Sequence, residues 1–150
     1  MKKLLFIGVA VLAAVFAQAQ LNPVSWKFSS KKISHKVYEV HITAVMQSGW
    51  HLYSQTQPSD AINIPTQFVF AANPLVTLTG KVAEVGKMEK FRDATVGASA
   101  NQYSKTVTFV QKVTLKAAAK TNISGTVTYQ TCDDKQCLPP KKVPFKVDLG

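Results

Sequence analysis

"HKVYEVHITAVM", residues 35 to 46, decides the fold class of this chain. Tyr38, Val40, Ile42, Ala44 and Met46 fall on one side of it, with Glu39, His41 and Thr43 opposite. A period of two marks an extended strand with one buried face, whereas a helix would bring its apolar residues back every three or four positions. The alternation returns in "TQFVF" (66 to 70), "KTVTFVQKVTL" (105 to 115), "ISGTVTYQ" (123 to 130) and "KKVPFKVDL" (141 to 149). In the last of these Val143, Phe145 and Val147 share a face, and Pro144, which lacks an N–H, points to an edge strand. "VSWKFSS" (24 to 30), "LVTLTG" (75 to 80) and "VAEV" (82 to 85) are shorter candidates. "KAAAK" (116 to 120) is the one run of good helix propensity, and it lies between two strands. An all-β chain of short strands separated by turn signals predicts a two-sheet antiparallel sandwich, with a closed barrel as the alternative. Two stretches, 48 to 65 and 86 to 102, read as irregular, and long loops in a compact domain are commonly functional.

The N-terminus gives an address. "MKK" is basic, "LLFIGVAVLAAVF" is apolar and "AQA" supplies small residues for a cut after Ala19, the pattern of a secretory signal peptide over residues 1 to 19. The apolar run is shorter than the roughly 20 residues that cross a bilayer, and no cysteine near the cut suggests a lipoprotein. Residues 20 to 150 make one domain of ordinary size, able to bury a core without cross-links. The chain carries 18 Lys and Arg against 8 Asp and Glu. The lysines are scattered and Arg92 is the sole arginine, so a solvated basic surface is expected rather than the focused patch that nucleic acid requires. Trp26 and Trp50 are expected to anchor the core.

The only two cysteines stand in "YQTCDDKQCLPP" (129 to 140), after a strand-like run and before a double proline. Three readings compete. As a staple, Cys132 and Cys137 close so short a loop that the chain-entropy gain is about 2 kcal/mol. As a metal clip, two cysteines fall short of the four ligands of structural zinc, and His35, His41 and His51 show no ligand spacing. As a redox site, they place a small ring at a strand end of an exported protein, where exchange needs an attackable sulfur with a resolving thiol nearby. Asp133 and Asp134 disfavour thiolate there and Lys135 opposes them. No Ser-His-Asp set, paired carboxylates or phosphate loop stands out, and no cofactor or metal is expected.

"VTYQTCDDKQCLPP" resembles the active-site hairpin of the N-terminal periplasmic domain of the DsbD thiol:disulfide interchange proteins, the disulfide bond corrector domain. "SGWHLYSQ" is similar to that family's Gly–aromatic–aromatic–Leu–Tyr segment, and "MEKFRDATVG" to its acidic-Phe cap loop. The three blocks keep the family's order from about residue 45 to 147. The resemblance implies an immunoglobulin-like sandwich in which Cys132 and Cys137 cycle between dithiol and disulfide. It makes Cys137 the attacking thiol and Cys132 the resolving one. Phe91 matches the phenylalanine that covers the pair, Glu89 the cap's acidic residue, and Tyr53 an active-site tyrosine. The sequence departs from the pattern at His51, where an aromatic is expected, and in the four-residue insert "DDKQ", one shorter than in the best-known bacterial example. His51 reads either as a surface histidine or as a group that favours thiolate.

The resemblance therefore implies a periplasmic or otherwise exported thiol–disulfide relay, a protein oxidoreductase that takes electrons from one protein and reduces another. Its partners would be thioredoxin-like or other thiol–disulfide oxidoreductases, met through transient mixed disulfides, with a membrane protein as a candidate donor. No membrane or thioredoxin-like unit is read in the sequence, so electrons are expected to arrive from a separate protein. The rival reading is an envelope sandwich that binds a partner and carries an inert disulfide.

Overall fold

The computed structural model describes residues 21 to 150, and the segment expected to be a signal peptide lies outside them. Among the described residues nine strands succeed one another: β1 (Val24–Ser34), β2 (Val37–Met46), β3 (His51–Tyr53), β4 (Gln67–Phe70), β5 (Val76–Asp93), β6 (Ala98–Leu115), β7 (Thr121–Tyr129), β8 (Thr131–Cys132) and β9 (Lys141–Leu149). All pairings are antiparallel. One sheet runs β1-β2-β6-β3-β8, with β5 along the other edge of β6. The second is β4-β7-β9, in which Pro144 lies on an edge strand because β9 pairs with β7 alone.

The two inner faces form the core. Tyr38, Val40, Ile42, Ala44 and Met46 of β2 are all buried, as the alternation predicts. They meet Val107, Phe109 and Val113 of β6 and, across the sandwich, Ile123, Tyr129, Phe145, Val147 and Leu149. Aromatic contacts bridge the sheets: Phe68 to Phe109 with ring centres 5.0 Å apart, Trp26 to Tyr129 at 5.1 Å and Phe28 to Phe145 at 5.6 Å. Trp50 is buried and Trp26 packs against the same cluster. Gly125 is required by close approach, since a Cβ there would collide with the Val69 carbonyl oxygen and the Phe145 ring.

Three expectations change. The runs 75 to 80 and 82 to 85 are one strand, β5, interrupted by a register shift between Thr79 and Ala83. Gln111 is buried at this irregularity and donates to the Thr79 and Lys112 carbonyls at 3.1 and 2.8 Å. The stretch 86 to 102 is not irregular: it forms the far arms of the β5–β6 hairpin, turning at 94 to 97 with Gly97 at φ 69°. In 48 to 65 only His51–Tyr53 is strand. "KAAAK" forms no helix, because five residues bracketed by β6 and β7 cannot repay helix nucleation.

Strand β6 changes neighbours part-way along. Thr106–Thr114 pair with β2, whereas Gln102–Ser104 pair with β3. Lys105 between them has φ 66°, a left-handed bulge that lets the strand bend as it changes partner. Beyond it, Ala98, Ala100 and Gln102 face away from the sandwich core and floor a separate cleft.

Candidate functional site

After Tyr129 the chain leaves the small sheet, joins the edge of the large one as β8, and returns as β9. The excursion is the "TCDDKQCLPP" hairpin. Asp133 organises its tip: its carboxylate accepts the Lys135 and Gln136 N–H groups at 2.8 and 2.7 Å, while its own N–H donates to the Gln136 carbonyl at 2.9 Å. Such side-chain capping of the next residues along is what makes Asp a turn former. The same hydrogen bonds hold the Asp133 carboxyl below its ordinary range. Leu138 N–H donates to Thr131 at 2.9 Å, and then Pro139 and Pro140, without N–H groups, end the pairing. Cys132 and Cys137 thus stand directly opposite each other with Cα atoms 4.0 Å apart, joined as a disulfide with S–S 2.04 Å.

The two halves of this disulfide meet different surroundings. Cys132 is only 2% exposed and packs with Tyr53 and Ala100 in a small cluster apart from the main core. Cys137 is exposed. The bond lies along a cleft of about 520 Å³ shared by the hairpin, His51 and Tyr53 of β3, Gln102 of β6 and Phe91 of β5.

Strand register explains this convergence. His51 pairs with Cys132 on one side and with Ser104 on the other, and Ser104 Oγ donates to Glu89 at 3.1 Å. Cys132, His51 and Ser104 therefore form a row across the sheet, and Glu89, whose own cross-strand partner is Gln102, reaches that row diagonally. Tyr53 lies two residues beyond His51, on the same face, with its hydroxyl 3.2 Å from His51 Nε2. On β5, Phe91 pairs with Ala100 of β6, so it occupies a strand rather than the loop expected over 86 to 102. Its ring lines the cleft yet stays 51% exposed, accompanied by Val96 and Ile62, both more exposed still.

Burial dominates the electrostatics. It lowers the His51 pKa from its ordinary 6.5, while Asp134, Glu89 and Asp133 pull the other way. It raises the Tyr53 hydroxyl above 10.0, so that group stays protonated at neutral pH. Gln102 is buried and its Oε1 has no hydrogen-bond partner among the described residues.

Apart from Gln130, whose "YQ" belongs to the family resemblance, the supporting residues gave no sequence signal of their own. Gln130, the second residue of "YQ", accepts the Ile64 N–H at 3.0 Å and donates to the Leu138 carbonyl at 3.4 Å, tying both flanking loops to the hairpin. Thr131 Oγ1 donates to the His51 carbonyl at 2.8 Å. Gln57 pairs its side-chain amide with both backbone groups of Asn101, at 2.7 and 3.1 Å, as a strand would. Glu84 accepts Ser54 Oγ, Gln55 N–H and the Tyr103 hydroxyl at 2.8, 2.7 and 2.6 Å, fixing the chain just after β3. Their partners are set by tertiary register, which no local pattern encodes.

The sequence profile of the N-terminal region of the thiol:disulfide interchange protein DsbD matches residues 18 to 149. The chain belongs to this DsbD N-terminal family. Two solved structures agree on the fold. The complex between the DsbD and PilB N-terminal domains of Neisseria meningitidis aligns with a TM-score of 0.52 at 16% identity, covering 87% of this chain and 88% of that one. The N-terminal periplasmic domain of ScsB from Proteus mirabilis gives 0.53 at 16% identity, covering 84% of this chain and 44% of that one. The reduced DsbD N-terminal domain of Neisseria meningitidis gives 0.49 at 16% identity, covering 71% and 74%. A comparison with curated sequences found no match. Like the other DsbD N-terminal domains, this one is an immunoglobulin-like sandwich.

Proposed function

We propose that this DsbD N-terminal domain is an exported thiol–disulfide relay, working in the periplasm, in which Cys132 and Cys137 carry two electrons between two other proteins. The observation that supports it most is the unequal exposure of one disulfide: Cys137 is open to solvent and Cys132 is 2% exposed. Only an accessible sulfur can be attacked by a partner's thiolate, and only a sheltered one can resolve the mixed disulfide without being captured itself. In the reduced domain the Cys137 thiolate attacks the partner's disulfide and joins one of its sulfurs. Cys132 then attacks Cys137, re-forms the disulfide and expels the partner's thiol. Recharging runs the other way, with a donor's thiolate attacking Cys137.

In this reading Phe91, at the rim of the same cleft, is the cap that a docking partner pushes aside. Tyr53 shelters Cys132, and Glu89 and His51 set the charge around it. The partners are oxidoreductase domains, a class consistent with the PilB N-terminal domain that accompanies the Neisseria relative. A membrane protein is the proposed donor.

Trapping tests the proposal. A Cys132→Ser protein incubated with envelope extract should accumulate a mixed disulfide through Cys137, released by reductant, whereas Cys137→Ser should accumulate none. The relay reading fails if neither variant captures a partner and the wild-type bond resists reduction by thiols throughout the potential range of exported oxidoreductases. The domain would then be a binding sandwich with an inert staple.

A further inference from the structure

The relay leaves a proton unaccounted for. Whenever the disulfide opens, Cys132 departs as a thiolate in a nearly closed pocket. Whenever a mixed disulfide resolves, Cys132 must first lose its thiol proton there. Burial among apolar groups disfavours the charged sulfur, so each step is slow unless a neighbour handles the proton. At 2% exposure, water has little access to Cys132.

We infer that His51 is the proton acceptor and donor for Cys132, an inference that rests on the relay reading above. His51 is the cross-strand partner of Cys132, and directly opposite side chains on one sheet face stand within about 5 Å at Cβ. Both residues line the same cleft. Tyr53, which also packs on Cys132, holds the imidazole with its hydroxyl 3.2 Å from Nε2 and the rings edge to face at 5.5 Å, which leaves Nδ1 to exchange the proton. The charged and titratable groups around His51 come from every neighbouring element: Tyr53 on its own strand, Glu89 across β6, and Asp133 and Asp134 in the hairpin. Asp93 and Lys135 line the same cleft. The three carboxylates favour imidazolium while burial, the larger effect, opposes it, so the imidazole rests neutral, the form that accepts a proton, with carboxylates at hand to steady the charge it gains. Tyr53 is a poorer candidate, because its hydroxyl is held protonated by burial.

Protons and electrons balance at each stage. The Cys132 thiol gives its proton to neutral His51. The resulting thiolate attacks Cys137 Sγ, forming the Cys132–Cys137 bond and breaking the Cys137–partner bond, whose electron pair leaves with the partner sulfur. Imidazolium then yields its proton to that thiolate or to water. On recharging, His51 takes up the proton that the donor thiol loses as it attacks Cys137, directly or through water, and passes it to the departing Cys132 thiolate.

A chromogenic disulfide separates the two stages. Reduced protein mixed with one equivalent of 5,5′-dithiobis(2-nitrobenzoate) releases one thionitrobenzoate as Cys137 is captured, and a second as Cys132 resolves the adduct. In the wild type the second release should show an inflection in its pH profile from the imidazole. In His51→Gln it should be at least about tenfold slower at pH 7, approaching the wild-type rate as the pH rises into the range where Cys132 ionises unaided. Matching second-stage rates and pH profiles in the two proteins would overturn the role of His51 and leave the relay intact. A wild type that releases the first equivalent but never the second would overturn the relay and this inference with it. Should His51→Gln misfold, a wild-type profile lacking the imidazole inflection overturns the assignment.

Discussion

At Cys132 the sulfur is enclosed by Tyr53 and Ala100, whereas at Cys137, a few residues on, it faces solvent. The difference arises from position in the hairpin. Cys132 belongs to β8 and is flanked by β3, and Cys137 lies on the returning arm, which only the hairpin itself pairs. His51 shares the enclosed side, and its depressed pKa has a consequence for stability. The unfolded chain takes up a proton near pH 6.5, while the folded protein resists it. The stabilisation from keeping His51 neutral is thus complete above pH 6.5 and is lost as the pH falls through 6.5 towards the lower folded value. Urea midpoints measured from pH 7.5 to 5 should fall more steeply for the wild type than for His51→Gln. Parallel curves would show that His51 titrates as freely folded as unfolded.

At the scale of elements, Gly125 on β7 is the tightest point in the small sheet. Gly125→Ala should cost about 1–3 kcal/mol, seen as a lower denaturant midpoint with unchanged slope, because Val69 carbonyl and Phe145 must both move. A midpoint equal to the wild type would mean that β4 and β9 yield without strain.

The strands of the sandwich were legible wherever one face is buried: the alternation of β2, the end of β6 and β9 reports a core on one side and water on the other. The far arms of β5 and β6 were not legible for the same reason. They project past the sandwich: Met88 and Phe91 of β5 remain exposed, and the buried face of β6 there carries Ala98, Ala100 and Gln102, too small or too polar to mark a period. The cysteine hairpin announced itself by composition and by likeness to a family. That His51 faces Cys132, or that Gln130 joins two loops, depends on register between strands 80 or more residues apart in one case and on a long loop in the other. Sequence spacing carries no such information.

For the molecule as a whole, the main core and the disulfide are separate. The principal apolar cluster runs between the sheets and includes neither cysteine, while Cys132 belongs to its own small group. The six-residue loop contributes about 2 kcal/mol at most by chain entropy. Reducing the bond should therefore leave the far-ultraviolet circular dichroism unchanged and lower the unfolding free energy by no more than about that amount. A reduced protein that unfolds cooperatively at room temperature would show the bond to be structural after all.

The bulge at Lys105 places a seam in the middle of the longest pairing in the domain. On one side β6 answers to β2 and the sandwich; on the other it answers to β3 and the cleft. Such a seam makes the domain divisible for inheritance and for engineering. On the proposed relay, substitutions distal to the seam would retune which partner surfaces the cleft accepts without disturbing the packing that keeps the chain folded, and a hairpin from another member of the family, spliced at Gly86 and Lys105, would bring its own selectivity to an unchanged foundation.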